Sequence, residues 1–520
     1  MACHHNLLTE PVFRTAWRDG DHRDLSLPEV FEALGTGSEL HDFVHLQAHQ
    51  WPAWYTFLVQ LAALAVLDSP DVWPTLDAAG WRERLRQLTP RFADDAPWCL
   101  AVDDLSLPAF MQPPVPERNL EHFTGPIGAP DESSLDLLVT AKGHDLKPGR
   151  VGAAAPAAWA YALVTLQTQS GYSGKNNYGV IRMNGGYGSR AVVGVAVSRD
   201  WSQRHRRDLH VILEHHHVAA GEHRRPAKGG KNLLWVDPWD GRSSISLDRC
   251  DPYVIEVARR VRLTSDSGQL RAWRKGTEAA RLVPRVDVHK GNVGDPWIPV
   301  RNDGTALTAG EAGLDYDRMR QILTEDGYTL PICARLRPDD PDELYFYAAV
   351  LARGQGRTEG FHERWLPIPK RARPRLLSNQ GRRTLQALAR ERVERTGAVR
   401  NRALSPALLT MVQGAPEKLS FEQDVGRWRR RFEAMVDHCF FPDLWSGVDL
   451  EPGEQRRQWA RRLRTLAEQV LSEAEREAPI PEARRDRAVA RAWIVLYGAL
   501  RKWIPEAFES EETEDVAAET

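Results

Sequence analysis

Between Ser170 and Arg190 the chain reads SGYSGKNNYGVIRMNGGYGSR, with six glycines, three asparagines and the cations Lys175, Arg182 and Arg190. Bare backbone beside positive charge suits one chemistry well. Without side chains, N–H groups can approach phosphate or the floor of a nucleic-acid groove, and the cations supply attraction. The same composition also makes an ordinary loop, because glycine reaches positive φ at no steric cost. The residues alone leave both readings open. The known phosphate cradles do not fit. Gly174-Lys175 is followed by Asn176 rather than Ser or Thr, and position 169 is Gln, so this is not a Walker A loop. No GxGxxG leads from a strand into a helix, which argues against a dinucleotide fold.

Other reactive side chains form no recognisable constellation. HVILEHHHVAAGEH brings His210, His215, His216, His217 and His223 close in sequence. HExxH is absent and no carboxylate has the spacing of a metalloprotease, so a solvated loop or a packed imidazole is expected, not a metal site. The five cysteines (Cys3, Cys99, Cys250, Cys333 and Cys439) are scattered with no CxxC pair, which argues against a disulfide framework or a four-cysteine zinc site. There is no GxSxG elbow and no kinase motif set. The carboxylate pairs Asp103-Asp104, Asp339-Asp340 and Glu511-Glu512 fall in loop-like or tail sequence. The expectation is a binding protein rather than an enzyme, with no cofactor.

The elements that must position the glycine loop can be read from periodicity. At 520 residues the chain can bury more than one core. No uninterrupted run of 18 apolar residues occurs, and MACHHNLLTE carries no signal-peptide pattern, so a soluble cytoplasmic protein is expected. The formal charge of −2 hides an acidic stretch, Glu506–Thr520, with seven carboxylates and no cation; without it the charge is +5. That stretch reads as a disordered tail. Residues 1–374 read as mixed α and β. NLLTEPVFRTAWRDGDHRDLSLPEVFEAL predicts two strands around a DG turn and then a helix with Ser26 near its start. His41–Leu67 and Ala155–Gln169 read as helices, Leu107–Glu117 as an extended proline-rich connector, and Ala191–Ser198 as a strand. Glu343–Pro369 reads as two strands around a tip holding Gly354, Gly356 and Gly360, with Gln355 between the first two. From about 375 to 505 the chain is rich in Arg, Ala, Leu and Glu. Helices over Arg375–Thr396, Ser420–His438, Pro452–Glu475 and Pro481–Trp503 predict a four-helix bundle, with Pro442 among the breakers. Its arginine runs, RWRRRF and RRQWARRLR, read as a solvated face. The fold class expected is therefore α+β: a large mixed α/β N-terminal domain followed by a four-helix bundle.

Six segments in order carry a resemblance: NLLTEPVF (Asn6–Phe13), PAFMQPP (Pro108–Pro114), TAKGHDLK (Thr140–Lys147), NNYGVIRMNGGYGSR (Asn176–Arg190), GNVGDPWIPV (Gly291–Val300) and ARGQGRTEGFHER (Ala352–Arg364). With the terminal bundle, the chain over roughly residues 6–505 resembles CasA, the large subunit of the type I-E CRISPR surveillance complex, Cascade. The resemblance implies RNA-guided recognition, in which base pairing reads the target and protein reads a short protospacer-adjacent motif, the PAM. It implies a chain that contacts the PAM duplex from the minor groove, promotes duplex opening and R-loop formation, and offers a platform to a helicase–nuclease. The implied partners are the other Cascade subunits, guide CRISPR RNA, target double-stranded DNA and that helicase–nuclease, with no membrane.

Carried onto this sequence, the resemblance puts the family's glycine loop on Asn176–Gly188, with Gly179 matching its groove-contacting glycine, Asn176 and Asn177 beside it, and Arg182 near phosphate. Gln355, beside Gly354 and flanked by Arg353 and Arg357, matches the glutamine wedge. Lys142, His144 and Lys147 match a loop facing the guide RNA and backbone subunits. The family's basic finger, usually a lysine, has no clear counterpart; Arg285 and Lys275 are the candidates. Some members have paired cysteines after the segment matching DRCDPY. This chain has Cys250 alone there, so no zinc is expected. Two rival readings remain: a phosphate- or nucleotide-binding enzyme using the glycine-rich loop, and a structural subunit whose arginine-rich bundle docks on protein or RNA.

Overall fold

The computed structural model describes residues 2–125, 135, 155–170, 174–182, 189–283, 289–310, 312–354, 357–420, 425–480 and 482–509; at 353, 354 and 357–359 it describes the backbone alone. The chain forms two compact units. One comprises Met1–Leu314 with Gly327–Pro367, the other Asp315–Asp326 with Ile368–Thr520.

The first unit begins as its sequence predicts. Phe13–Trp17 pairs antiparallel with His22–Leu25 around Asp19 and Gly20, whose φ of 89° suits the turn. Helix Leu27–Thr36 follows, its first turn closed by a capping box in which Glu29 accepts from the Ser26 backbone N–H at 2.6 Å. The predicted helix His41–Leu67 is shorter. Leu40–Phe43 is a strand against Phe13–Trp17, and the helix runs Trp51–Val66, with Pro52 in its first turn. All sixteen of its residues are buried. Trp54 sits 5.2 Å from Phe13 and 4.9 Å from Tyr161 of helix Pro156–Gln169, ring centre to ring centre. This helix sandwich is the centre of the core.

The histidine-rich stretch is a helix, Trp201–Glu222, rather than a loop. Asp200 starts it by accepting from the Ser202 N–H at 3.0 Å. His216 is a packed imidazole, 2.9 Å from buried Asp251. Among the described residues no group of three or more His, Cys, Asp or Glu is placed to hold a metal ion. His205 lies in the core 6.3 Å from the Phe31 ring, and burial pushes its imidazole pKa down to about 3. An unfolded histidine titrates near 6.5, so below that pH the unfolded chain takes up a proton that the fold refuses. Stability should fall by up to about 1.4 kcal/mol per pH unit between roughly 6.5 and 3 from this group alone. His205→Phe is expected to flatten that slope; urea midpoints at pH 7.5 and 5.0 for both proteins measure it.

One departure concerns the cysteines. Cys3 and Cys99 form a disulfide, with Cα atoms 5.8 Å apart. They lie 96 residues apart on paired strands, Cys3–Asn6 and Cys99–Val102, a proximity that no sequence spacing reveals. Cys250, Cys333 and Cys439 are free.

The second unit is helical. Arg373–Leu377 and Asn379–Ala398 are separated at Ser378, whose hydroxyl caps the longer helix through the Gly381 N–H at 3.0 Å. A π turn, Val399–Leu404, links that helix to Ser405–Val412, which the sequence reading missed. Helices Gly426–Ser446, Pro452–Glu477 and Arg485–Trp503 complete the bundle. Pro442 stands inside the first of these rather than ending it. Its lost backbone bond is offset by burial of Phe440, Phe441, Leu444 and Trp445 around it. Helix Tyr316–Leu323 joins this unit because Tyr316 packs 4.9 Å from the Phe440 ring and donates to Glu433 at 3.0 Å. Several of the bundle's arginines, read as a solvated face, are paired within it: Arg462 with Asp443 at 2.8 Å, Arg464 with Glu468 at 2.8 Å, Arg431 with Glu473 at 3.2 Å. The acidic tail starts later than expected. Glu506 pairs with Arg395 at 2.9 Å and Phe508 is buried, so 506–509 belong to the packed unit; the rest of the tail lies outside the described residues.

Candidate nucleic-acid interface

The glycine loop leaves helix Pro156–Gln169 and makes a tight turn. Gly174 and Asn177 exchange backbone hydrogen bonds of 2.6 and 2.9 Å. Lys175 and Asn176 are exposed at its tip, and Asn176 takes a left-handed φ of 67°. Asparagine tolerates that conformation better than most residues. The turn leans on the end of a β-hairpin, Arg260–Asp266 paired with Gln269–Lys275. The Thr277 N–H donates to the Asn176 carbonyl at 2.9 Å. Gly276 permits this approach, because a Cβ there would stand 2.9 Å from the Asn176 Cβ. Asn176 and Lys275, assigned to different features in the sequence, are thus neighbours.

Lys275 is not a free finger. Its Nζ lies 2.9 Å from Glu117, which also takes Arg260 at 3.0 Å, and both cations face the Phe123 ring. Although partial burial opposes it, bonding from Lys275 and Arg260 holds the Glu117 carboxyl down to about 2. Asn177 and Gly179 are half-buried behind the tip, Gly179 lining a small recess with Ile181, Glu256, Ala258 and Leu282.

Arg182 contradicts its expected place near phosphate. It is 4% exposed, its guanidinium 2.6 Å from Glu256 and 2.9 Å from Asp295, and it donates to the Val254 carbonyl at 2.9 Å. Burial alone would lower its pKa; the two carboxylates reverse that and raise it. Arg190, 1% exposed, reaches the same Asp295 at 2.7 Å and Thr56 at 2.9 Å. Burial lowers its pKa, Asp295 opposing. Two of the loop's three cations are therefore internal struts. Glycine-rich sequence shows the charges but not the acids that consume them, which stand at Glu256 and in the GDPW turn.

From Arg190 the chain enters Val192–Ala196, which pairs antiparallel with Leu344–Gly354; Arg357–Ile368 completes that three-stranded sheet. The predicted hairpin is present, but Gly360, expected in its tip, lies inside the second strand. Ala349 faces Val192, so Gly354 continues past the start of the neighbouring strand. The Ser189 hydroxyl donates to the Leu351 carbonyl at this end. The hairpin base is stiffened by Trp365, stacked 5.0 Å from Tyr347, with the Arg204 guanidinium close to both rings. Gln355, Arg285, Lys142, His144 and Lys147 lie outside the described residues.

Nearly the whole chain superposes on solved structures. CasA of Thermus thermophilus matches with a TM-score of 0.62 at 14% identity, covering 96% of this chain and 100% of that one. The chain has the CasA fold. Thermobifida fusca Cse1 gives a TM-score of 0.62 at 17% identity over 97% and 98% of the two chains. A chain of a CRISPR RNA-guided surveillance complex gives 0.57 at 16% identity over 95% and 100%. No family model and no curated protein matches the sequence. The α+β class expected from the sequence is that of these CasA structures. Within this CasA fold, Ser189 and Arg190, which end the glycine-rich segment, and Gly354 of the hairpin lie toward one end of one sheet.

Proposed function

We propose that this chain is the large subunit of a type I-E CRISPR RNA-guided surveillance complex, a non-enzymatic cytoplasmic protein that reads the PAM of target double-stranded DNA from the minor groove. One observation carries the reading: a CasA fold over nearly the whole chain that brings Ser189 and Arg190, the end of the glycine-rich segment, and Gly354 of the hairpin toward one sheet end. Gly179, with Asn176 and Asn177, offers backbone to the narrow groove, where a Cβ would hold the chain off the base edges. Gln355, beside Gly354, wedges against the pair next to the PAM. Unstacking costs a few kcal/mol per step, which phosphate contacts and guide pairing offset. Lys142, His144 and Lys147 face guide RNA and the other Cascade subunits, and the chain presents a platform to the helicase–nuclease. Arg182 leaves the DNA-contacting set; exposed Lys175 is the better phosphate partner. Arg285 and Lys275 remain the finger candidates.

The deciding experiment is target binding by the reconstituted guide-RNA complex, with and without this chain, on duplexes differing only in the PAM. PAM-dependent binding that needs the chain supports the reading, and equal binding without it refutes PAM recognition. Saturable binding of a nucleotide by the chain alone would favour the enzyme reading instead.

Neutralisation of Lys275 by Glu117 makes a further prediction. Glu117→Gln should release the Lys275 ammonium toward DNA, while Arg260 stays buried. Affinity for any duplex should rise, and the slope of log K against log salt should steepen by up to about one unit per phosphate newly contacted. A salt titration on PAM and non-PAM duplexes measures both.

A further inference from the structure

Arg182 and Arg190 bracket seven residues, MNGGYGS. Their guanidiniums converge on a single atom, Oδ2 of Asp295, at 2.9 and 2.7 Å. A chain leaving Arg182 must therefore return to Arg190 within the reach of two side chains that meet at one oxygen. Asp295 is itself held in place. Its Oδ1 accepts from the Trp297 N–H at 2.9 Å, and Gly294 before it takes a φ of 75° that positions the turn. Glu256 balances the remaining charge and accepts from the Ile181 N–H at 3.0 Å, fixing the residue before Arg182. Two cations and two anions, all more than nine-tenths buried, give a neutral cluster. Such a cluster has no long-range attraction to offer DNA. What it offers is geometry, since breaking one partner leaves the others uncompensated.

We infer that Asp295 is a positioning residue of the glycine loop: by holding Arg182 and Arg190 at one oxygen it fixes how Gly179, three residues before Arg182, is presented to the duplex. The tether is independent of function; its consequence for DNA rests on the PAM-reading proposal.

The test uses the full chain in the reconstituted guide complex, with Asp295→Asn and, should that variant not fold, Arg190→Lys, which keeps the charge but loses the planar fork. The first readout is amide hydrogen exchange over residues 179–182, where the Val180 and Ile181 N–H groups are bonded, against strand Val192–Ala196. Loop exchange should rise at least about tenfold while the strand is unchanged. Unchanged loop exchange overturns the tether. The second readout is affinity for a closed PAM duplex against a target opened beforehand at the PAM-proximal pairs. Binding to the closed duplex should weaken at least about tenfold, and to the opened target less than about twofold. Faster loop exchange with intact closed-duplex binding overturns the DNA consequence, and equal loss on both targets marks a general folding defect and overturns positioning. If the wild-type complex shows no PAM dependence while the exchange result holds, PAM reading fails and the tether stands.

Discussion

Arg182→Ala is expected to cost the N-terminal unit about 3–5 kcal/mol of folding stability, the range for removing one partner of a buried ion pair. The loss has a definite address. Asp295 keeps Arg190 at 2.7 Å, but Glu256 keeps only the Ile181 N–H at 3.0 Å, and the Val254 carbonyl loses the donor at 2.9 Å. Glu256 becomes a buried carboxylate without a cation. Domains are stable by about 5–15 kcal/mol, so a loss of this size removes a large fraction of the total. Glu256→Gln in the Arg182→Met background should recover part of it, because it removes the stranded charge while keeping the amide acceptor for Ile181. Thermal and urea unfolding of the wild type, Arg182→Ala, Arg182→Met and the double variant measure the effect. A different result would restore the sequence-based role. If Arg182→Ala unfolds with the wild type and instead flattens the salt dependence of DNA binding, its guanidinium contacts phosphate.

That misplacement shows where the sequence stops being legible. Local chemistry was readable. The Ser26–Glu29 cap, the buried helix from Trp51 and the glycine-tipped hairpin 344–368 all follow from residue types at short spacing. Long-range pairing was not. The Arg182–Glu256 bond spans 74 residues and the Cys3–Cys99 disulfide 96, and neither partner carries a local mark of the other. Burial also overrides local preference: Pro442 sits inside a helix because the aromatic residues around it pack there, and Leu40–Phe43 is a strand because Phe13–Trp17 lies beside it. The fold class is periodicity summed over many residues and survives such errors. The candidate site depends on a few charges, so one unseen carboxylate changes a residue's role.

Gly179→Asp should weaken binding of the closed PAM duplex about a hundredfold, the product of two separable effects of about 1.4 kcal/mol each. The first is bulk: a Cβ keeps backbone away from a groove only about 6 Å wide. Gly179→Ala isolates this part and should cost about tenfold. The second is charge, since a carboxylate among phosphates is repelled by about 1–4 kcal/mol at contact, depending on how much water remains. Gly179 is half-buried and shares a recess with Glu256, so the aspartate also meets a carboxylate of the protein. Melting curves must therefore match the wild type before the binding data are read. Lys175→Ala supplies the contrast. It removes the exposed cation at the turn tip, so it should weaken PAM and non-PAM duplexes alike and lower the salt slope by about one. Gly179→Ala should leave that slope intact and compress the ratio between the two duplexes. If both Gly179 variants fold normally and keep the wild-type ratio, the groove-reading backbone lies elsewhere in the chain, and Gln355 becomes the first place to look.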